Sequence, residues 1–188
     1  MLSLRTALTA TALVAAATAS QAANFIVDAV VNSTAGGIGK NTIGLTLGQA
    51  FTVTAAVGDL WSMGSLPRWS NADGLNSNLL ATGTDESGQP SGTQIGQNFG
   101  TFTQGGLTAA YGALVGQIGA GNYFLVGTSF NGVAAATGTL KLFNFDSNNL
   151  DNSQFITASV TAVPEPGTYA MLAAGLMAVG FMARRRKA

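Results

Sequence analysis

The richest group of oxygen-bearing side chains in this sequence lies in residues 144–153, NFDSNNLDNS. Two carboxylates, Asp146 and Asp151, stand there among four asparagines and two serines. Calcium binds about six to eight oxygen ligands, which it draws from carboxylates, side-chain amides and backbone carbonyls. The composition of this segment therefore suits a calcium site.

The same residues have a simpler interpretation as a solvated turn, because Asn and Asp favour turns by bonding their own backbone. The segment is not an EF-hand loop. Counting from Asp146, the sixth position is Asp151 rather than glycine, and the twelfth is Thr157 rather than glutamate. Composition alone leaves both interpretations open.

A second candidate for ligand binding surrounds one of the two tryptophans. Trp69 is followed by Asn71 and Asp73, so an aromatic face stands near an amide and a carboxylate. Sugar sites use that combination, since the ring covers the apolar face of the sugar and polar groups bond its hydroxyls. The three residues are predicted to bind carbohydrate, whereas Trp61 follows an apolar run and is predicted to be core.

Residues for catalysis are scarce. The chain contains no Cys and no His, which excludes thiol nucleophiles, thiolate or imidazole metal sites and histidine-based triads. A glycosidase would need two carboxylates about 5 to 9.5 Å apart. Asp73 and Asp146 are a conceivable pair, but no motif supports it, so an enzyme is not expected.

The charge of the central part, residues 23–162, argues against nucleic acid as a partner. Three basic residues stand there against seven acidic ones, which gives a net charge of −4. Nucleic-acid binding needs clustered Lys and Arg to neutralise phosphates. The basic residues are instead scattered, at Lys40, Arg68 and Lys141.

The candidate binding residues lie between short apolar and β-branched runs, which are separated by Gly, Asn, Ser and Thr. These runs predict strands at 25–31, 42–47, 51–57, 114–118, 123–127, 139–145 and 155–162. Within 51–57, Phe51, Val53, Ala55 and Val57 alternate onto one face. The pattern predicts an all-β sandwich, and residues 81–106 are predicted to be a long surface loop with one edge strand as an option.

The N-terminus has the pattern of a secretory signal. One cation, Arg5, precedes an apolar run at 7–17 and the small residues Ser20 and Ala22. We expect a signal peptide over residues 1–22 and a folded domain over residues 23–162. No disulfide can stabilise that exported domain, because cysteine is absent.

The C-terminal residues 163–188 have three parts in order: Pro164-Glu165-Pro166, an apolar run at 168–183, and the cations 184–187. The prolines oppose helix upstream, so a helix is expected from about residue 167. At about 1.5 Å per residue the apolar run reaches roughly 25 Å, against about 30 Å for a bilayer core. A short transmembrane helix is predicted, with the cations in the cytoplasm and the rest outside.

This tail resembles the PEP-CTERM sorting signal of Gram-negative bacteria, through Pro164, Glu165 and Pro166, the short hydrophobic helix and the Arg-rich end. The resemblance implies anchoring in the inner membrane, then processing by an exosortase-type protease. The product would go to the cell surface or to the extracellular matrix of a biofilm. A plain single-pass tail anchor is the alternative interpretation.

A second resemblance concerns the central domain. The segments 48–64, 113–119, 124–127, 138–142 and 151–153 look like the calcium-dependent galactose-binding lectins of the PA-I type. The resemblance implies a small jelly-roll-like β-sandwich that binds sugar through calcium at one end. It covers most of residues 28–160.

That family also implies a ligand set. Asp146 matches its acid, Asp151 and Asn152 match its asparagine pair, and the backbone carbonyls of Met63 and of a residue near Leu150 complete the shell. Asp151 replaces an asparagine, the loop from Asp146 is shorter, and the family's sugar-contacting histidine has no counterpart. The fold is therefore expected to carry over and galactose specificity is not, while calcium stays open beside the interpretation as a solvated turn.

Together these features predict an exported, non-enzymatic protein that binds a polysaccharide or other glycan with calcium as cofactor. The alternative is a structural or adhesion component of the extracellular polymer matrix with no specific ligand site. The two hypotheses share the fold and the destination. They differ at the calcium ligands and at the segment around Trp69.

Overall fold

A computed structural model describes residues 22–163 and 166–185 of the chain. The first range lies in one compact unit, and the C-terminal helix lies in another. The predicted signal peptide lies outside the described residues apart from Ala22. Of the predicted sorting motif, Pro164 and Glu165 also lie outside them.

The described residues form fourteen strands and one helix. In chain order these are β1 (Ala23–Asp28), β2 (Lys40–Leu45), β3 (Ala50–Ala55), β4 (Trp61–Ser62), β5 (Trp69–Ser70), β6 (Leu79–Leu80), β7 (Gln94–Gly96), β8 (Thr101–Gln104), β9 (Leu107–Ala110), β10 (Ala113–Ile118), β11 (Phe124–Leu125), β12 (Ser129–Val133), β13 (Gly138–Phe145), β14 (Phe155–Ala162) and α1 (Pro166–Arg185).

Two four-stranded antiparallel sheets make up the body of the domain. Their strand orders are β1-β14-β3-β12 and β11-β10-β13-β2. The side-chain period of two sends Phe51, Val53 and Ala55 inward, as the sequence predicts, while Val57 lies beyond the end of β3 and is exposed. The predicted all-β sandwich is confirmed.

The core between the sheets is apolar and closely packed. From the first sheet it receives Val27, Phe51, Val53, Ala55, Ile156, Ala158 and Val160, and from the second Leu45, Leu114, Ile118, Leu140 and Leu142. Trp61 is fully buried in this cluster, and its Nε1 donates a hydrogen bond to the carbonyl oxygen of Gly112 at 2.9 Å. The prediction that Trp61 belongs to the core is confirmed.

The second sheet is covered on its outer face as well. Alternate residues of β10 and β13, including Val115 and Phe145, point outward and pack against the hairpin β8–β9. Phe102 stacks on Phe145, with ring centroids 4.2 Å apart. The interpretation of 81–106 as a surface loop with one edge strand is therefore partly wrong, because the segment contains two short strands, β7 and β8, and Phe102 of β8 covers an apolar sheet face.

The helix α1 begins at Pro166, a position where a missing N–H costs no hydrogen bond. Its last turn contains Arg184 and Arg185, where positive charge favours the helix dipole. Across the residues that the structure describes, no helix combines the length and apolarity that crossing a membrane requires. The predicted transmembrane helix is therefore not supported by these residues.

Candidate calcium and ligand site

The loop that carries the predicted calcium ligands begins where β13 ends, at Phe145, and leads into β14. A bridge between Ser62 and Ser153 joins this loop to the hairpin β4–β5, with mutual backbone hydrogen bonds of 3.0 Å. The bridge thus brings residues 91 positions apart in sequence to one end of the sandwich.

Asp146 lies just inside the surface and is only 5% exposed. Its Oδ1 accepts a hydrogen bond from the backbone N–H of Ser147 at 2.7 Å, and its own N–H donates to Oγ1 of Thr34 at 3.1 Å. Burial raises the pKa of the Asp146 carboxyl, because the charged form loses its hydration. The charge of Asp151 adds to that rise, while hydrogen bonds from Ser147 and Asn152 oppose it.

Asp151 faces the cavity from the same loop. Its Oδ1 accepts a hydrogen bond from Nδ2 of Asn148 at 2.6 Å, and its Oδ2 lies 3.4 Å from Nη1 of Arg68. Gly64 is in contact with this carboxylate: a Cβ there would lie 2.6 Å from Oδ2 of Asp151. Since Gly64 also has φ of +127°, a side chain at this position would strain the backbone and would force the Asp151 carboxylate to move.

Asn152 contributes a buried amide oxygen. The residue is 7% exposed, and its Nδ2 donates to the carbonyl oxygen of Ala29 at 3.0 Å. Its Oδ1 is buried and has no hydrogen-bond partner, and the same is true of Oδ1 of Asn144. A buried acceptor without a partner is costly and calls for an explanation such as a bound ion or water.

A cavity of about 280 Å³ opens at this end of the domain. It is lined by Met63, Arg68, Leu75, Phe99, Tyr111, Asp146, Ser147, Asn148 and Asp151. Three of the five predicted metal-binding residues thus line one cavity. Asn152 does not line the cavity but its side chain hydrogen-bonds Asp146. The side chain of Leu150 is exposed to solvent, so a backbone oxygen is all that Leu150 could offer.

The oxygen donors at this cavity are of the kind that calcium uses, while the sequence has no Cys or His to offer thiolate or imidazole ligands. Nowhere in residues 22–163 and 166–185 do three or more His, Cys, Asp or Glu side chains meet in a way that could hold a metal. Two carboxylates line the cavity, so any further oxygen ligands would have to come from amide and backbone groups. Calcium accepts such ligands readily, and Oδ1 of Asn152, which has no hydrogen-bond partner, is a candidate of that kind.

The predicted carbohydrate-binding residues Trp69, Asn71 and Asp73 line a separate cavity of about 100 Å³. Their polar groups already have partners. Oδ1 of Asp73 accepts hydrogen bonds from N and Oγ1 of Thr128 at 2.8 and 3.0 Å, and Oδ1 of Asn71 accepts one from the N–H of Asp73 at 2.9 Å. The ring of Trp69 packs against the buried cluster that contains Ile95.

The structure also bears on the carboxylate pair considered for catalysis. Asp73 and Asp146 line different cavities, so the two groups do not face a common substrate position. A further group of cavity residues, Arg68, Phe99 and Tyr111, was not singled out from the sequence. They come from three separate stretches of chain, and no local pattern marks them as neighbours.

Comparisons with known proteins bear on the tail and on the fold. Residues 162–187 match the family described as the PEP-CTERM protein-sorting motif, so the predicted sorting signal is confirmed and indicates an exported protein. No curated protein matches the chain. A solved structure described as "EclA N-terminal domain; PllA-like lectin" is similar to this chain, with a TM-score of 0.49 and 21% identity, over 74% of this chain and 95% of that one. This likeness concerns the fold and not the ligand.

Proposed function

We propose that this protein is an exported, non-enzymatic glycan-binding protein whose ligand cavity is completed by calcium. The observation that carries the proposal is the buried Asp146 carboxylate at the wall of an open cavity, hydrogen-bonded by Asn152, whose Oδ1 has no hydrogen-bond partner. Both groups are costly to bury as they stand. A cation between them would offset both costs at once.

The chain supplies the ligands from a pre-shaped loop. Asp146 is oriented by Ser147, and Asp151 is held by Asn148 and by its contact with Gly64. Asn152 is fixed through its Nδ2 on Ala29, which aims Oδ1 away from that carbonyl. Bound calcium would supply open coordination positions that accept vicinal sugar hydroxyls.

The larger cavity suits a sugar better than the cavity at Trp69. Small-molecule sites range from about 300 to 1,000 Å³ and combine apolar walls with a few polar groups. The cavity at Asp146 has about 280 Å³ and walls that include Leu75, Phe99 and Tyr111, whereas the one at Trp69 has about 100 Å³. We therefore assign the glycan to the Asp146 cavity, and the prediction for Trp69, Asn71 and Asp73 becomes the alternative location.

A glycan array with the full chain tests this proposal. We expect binding in millimolar calcium that EDTA abolishes, and Asp151→Asn should weaken it about tenfold or more by removing a ligand charge. Asn76→Ala, which alters the wall of the cavity at Trp69, serves as the matched control and should change nothing. Absence of any glycan binding in calcium would instead favour a structural or adhesion role in the polymer matrix.

The C-terminal tail supports a second part of the proposal, which concerns how the protein is exported and processed. We infer that the C-terminal segment holds the protein at the inner membrane until an exosortase-type protease processes it, after which the domain reaches the cell surface or the extracellular matrix. The sorting motif at residues 162–187 supports this route.

Glu165→Gln should leave the tail unprocessed, because the central carboxylate of the Pro-Glu-Pro motif would be lost. The mass of the protein recovered from cells measures the outcome. Glu86→Gln, which alters the other glutamate of the chain, should be processed normally. Normal processing of the Glu165 variant would contradict this route.

A further inference from the structure

We propose that Arg68 makes the Asp146 cavity selective for glycans that carry a carboxylate, such as uronic acids. This inference rests on the proposed function, since it concerns the ligand of the same cavity. Among the described residues, Arg68 is the one cationic side chain that lines this cavity.

The backbone of Arg68 is firmly held. Its carbonyl oxygen accepts a hydrogen bond from the N–H of Met63 at 2.9 Å, and an antiparallel bridge joins it to Gly96. The guanidinium lies over the ring of Phe99, with Cζ 4.9 Å from the ring centroid. Backbone and ring together direct the charged group into the cavity.

The guanidinium nevertheless has bonding capacity to spare. Its contact with Asp151 is a single N–O approach of 3.4 Å, with the two side chains 40% and 42% exposed. Such a pair contributes little to stability, and the structure shows no other hydrogen bond of this guanidinium within the described part of the chain. Arg has five N–H donors in a planar fork that fits a carboxylate in bidentate fashion.

The charge of the cavity depends on the cation. Asp146 and Asp151 outweigh Arg68, so without metal the three side chains sum to −1 when ionised and repel an anion. A divalent cation reverses that sign to +1 and also relieves Arg68 of its pairing with Asp151. An acidic sugar would then meet the guanidinium fork beside the ring of Phe99, which is 37% exposed.

A matched array tests the selectivity, using glycans of uronic acids and their neutral counterparts, in which a hydroxymethyl group replaces the carboxylate. We expect the full chain in calcium to bind the uronates at least about tenfold more tightly. Arg68→Gln should lower uronate affinity about tenfold or more and change neutral-sugar affinity by less than about twofold, because a charge-assisted bond is lost. Arg68→Lys should recover only part of the loss, since it lacks the fork.

Calcium binding by the same variant gives a separate readout. Arg68→Gln should bind calcium a few times more tightly than the unaltered chain, because a competing positive charge leaves Asp151. Lys141→Gln removes a cation from β13 outside the cavity and should alter neither calcium nor uronate affinity.

The outcomes separate the two proposals. Calcium-dependent binding of neutral and acidic glycans with equal affinity, or of no uronate glycan at all, would overturn the selectivity and leave the proposed function standing. Weaker calcium binding by Arg68→Gln would also overturn it, because Arg68 would then be a structural support of the loop. No calcium binding and no glycan binding by the unaltered chain would defeat the proposed function itself.

Discussion

Calcium should raise the melting temperature of the compact unit, prepared as residues 23–162, by roughly 5 to 10 °C at a hundredfold excess over Kd. A ligand that binds only the folded state adds RT ln(1 + [L]/Kd), which is about 2.7 kcal/mol at that excess. For a domain of this size each kcal/mol corresponds to a few degrees. The physical source of the gain is the neutralisation of Asp146 and the satisfaction of Asn152 Oδ1, both costly without a cation.

Thermal melts in millimolar calcium and in EDTA measure this effect directly. Magnesium provides the matched control, because it demands near-octahedral geometry and gives up its water reluctantly. We expect a clearly smaller shift with magnesium at the same concentration. An identical melting temperature in calcium and EDTA would remove the metal from the proposal and favour a matrix component that uses the sandwich as a scaffold.

Asp146→Asn should have opposite effects with and without the metal. In calcium the variant should lose most of the roughly 2.7 kcal/mol of stabilisation, since a buried anionic ligand is replaced by a neutral one. In EDTA it should melt at a higher temperature than the unaltered protein. The amide keeps an oxygen that can accept the N–H of Ser147, while the charge that burial penalises is gone.

The higher melting temperature expected for Asp146→Asn in EDTA follows from the raised pKa of Asp146. Burial raises the pKa of Asp146 above its ordinary value of 3.8 in the folded protein. Protonated Asp146 therefore contributes fully to the free energy of unfolding at pH values below 3.8. That contribution is lost as the pH rises through the pKa of Asp146 in the folded protein. Above the folded-state pKa the ionised carboxylate destabilises the metal-free fold, and the asparagine relieves this.

Asp85→Asn is a suitable control for the melts in calcium and in EDTA. Asp85 lies outside the cavity, and hydrogen bonds from Ser87 and Thr82 lower the pKa of its carboxyl to about 2. The variant should keep the full calcium shift. A lost shift in this control, or an unchanged shift in Asp146→Asn, would contradict the assignment of Asp146 as a ligand.

Much of the fold could be predicted from local patterns. Phe51, Val53 and Ala55 share one face because side chains alternate with a period of two along a strand. This alternation is a local property and does not depend on the rest of the chain. The hairpin β8–β9 escaped prediction because its segment is poor in apolar residues. Only the outward face of β13, with Phe145, creates the surface that Phe102 covers.

By itself the sequence determined the features that depend on residues close together in the chain. These are the sorting motif at the C-terminus, the sandwich class, and an oxygen-rich loop that contains Asp146, Asp151 and Asn152. These are readable because each signal lies within one short segment. The tertiary structure alone decided that Asp146 is buried and that Arg68 and Phe99 share its cavity. The reason is physical, since antiparallel sheet pairing brings together loops that are far apart in sequence, and burial and charge at a site are properties of that assembly.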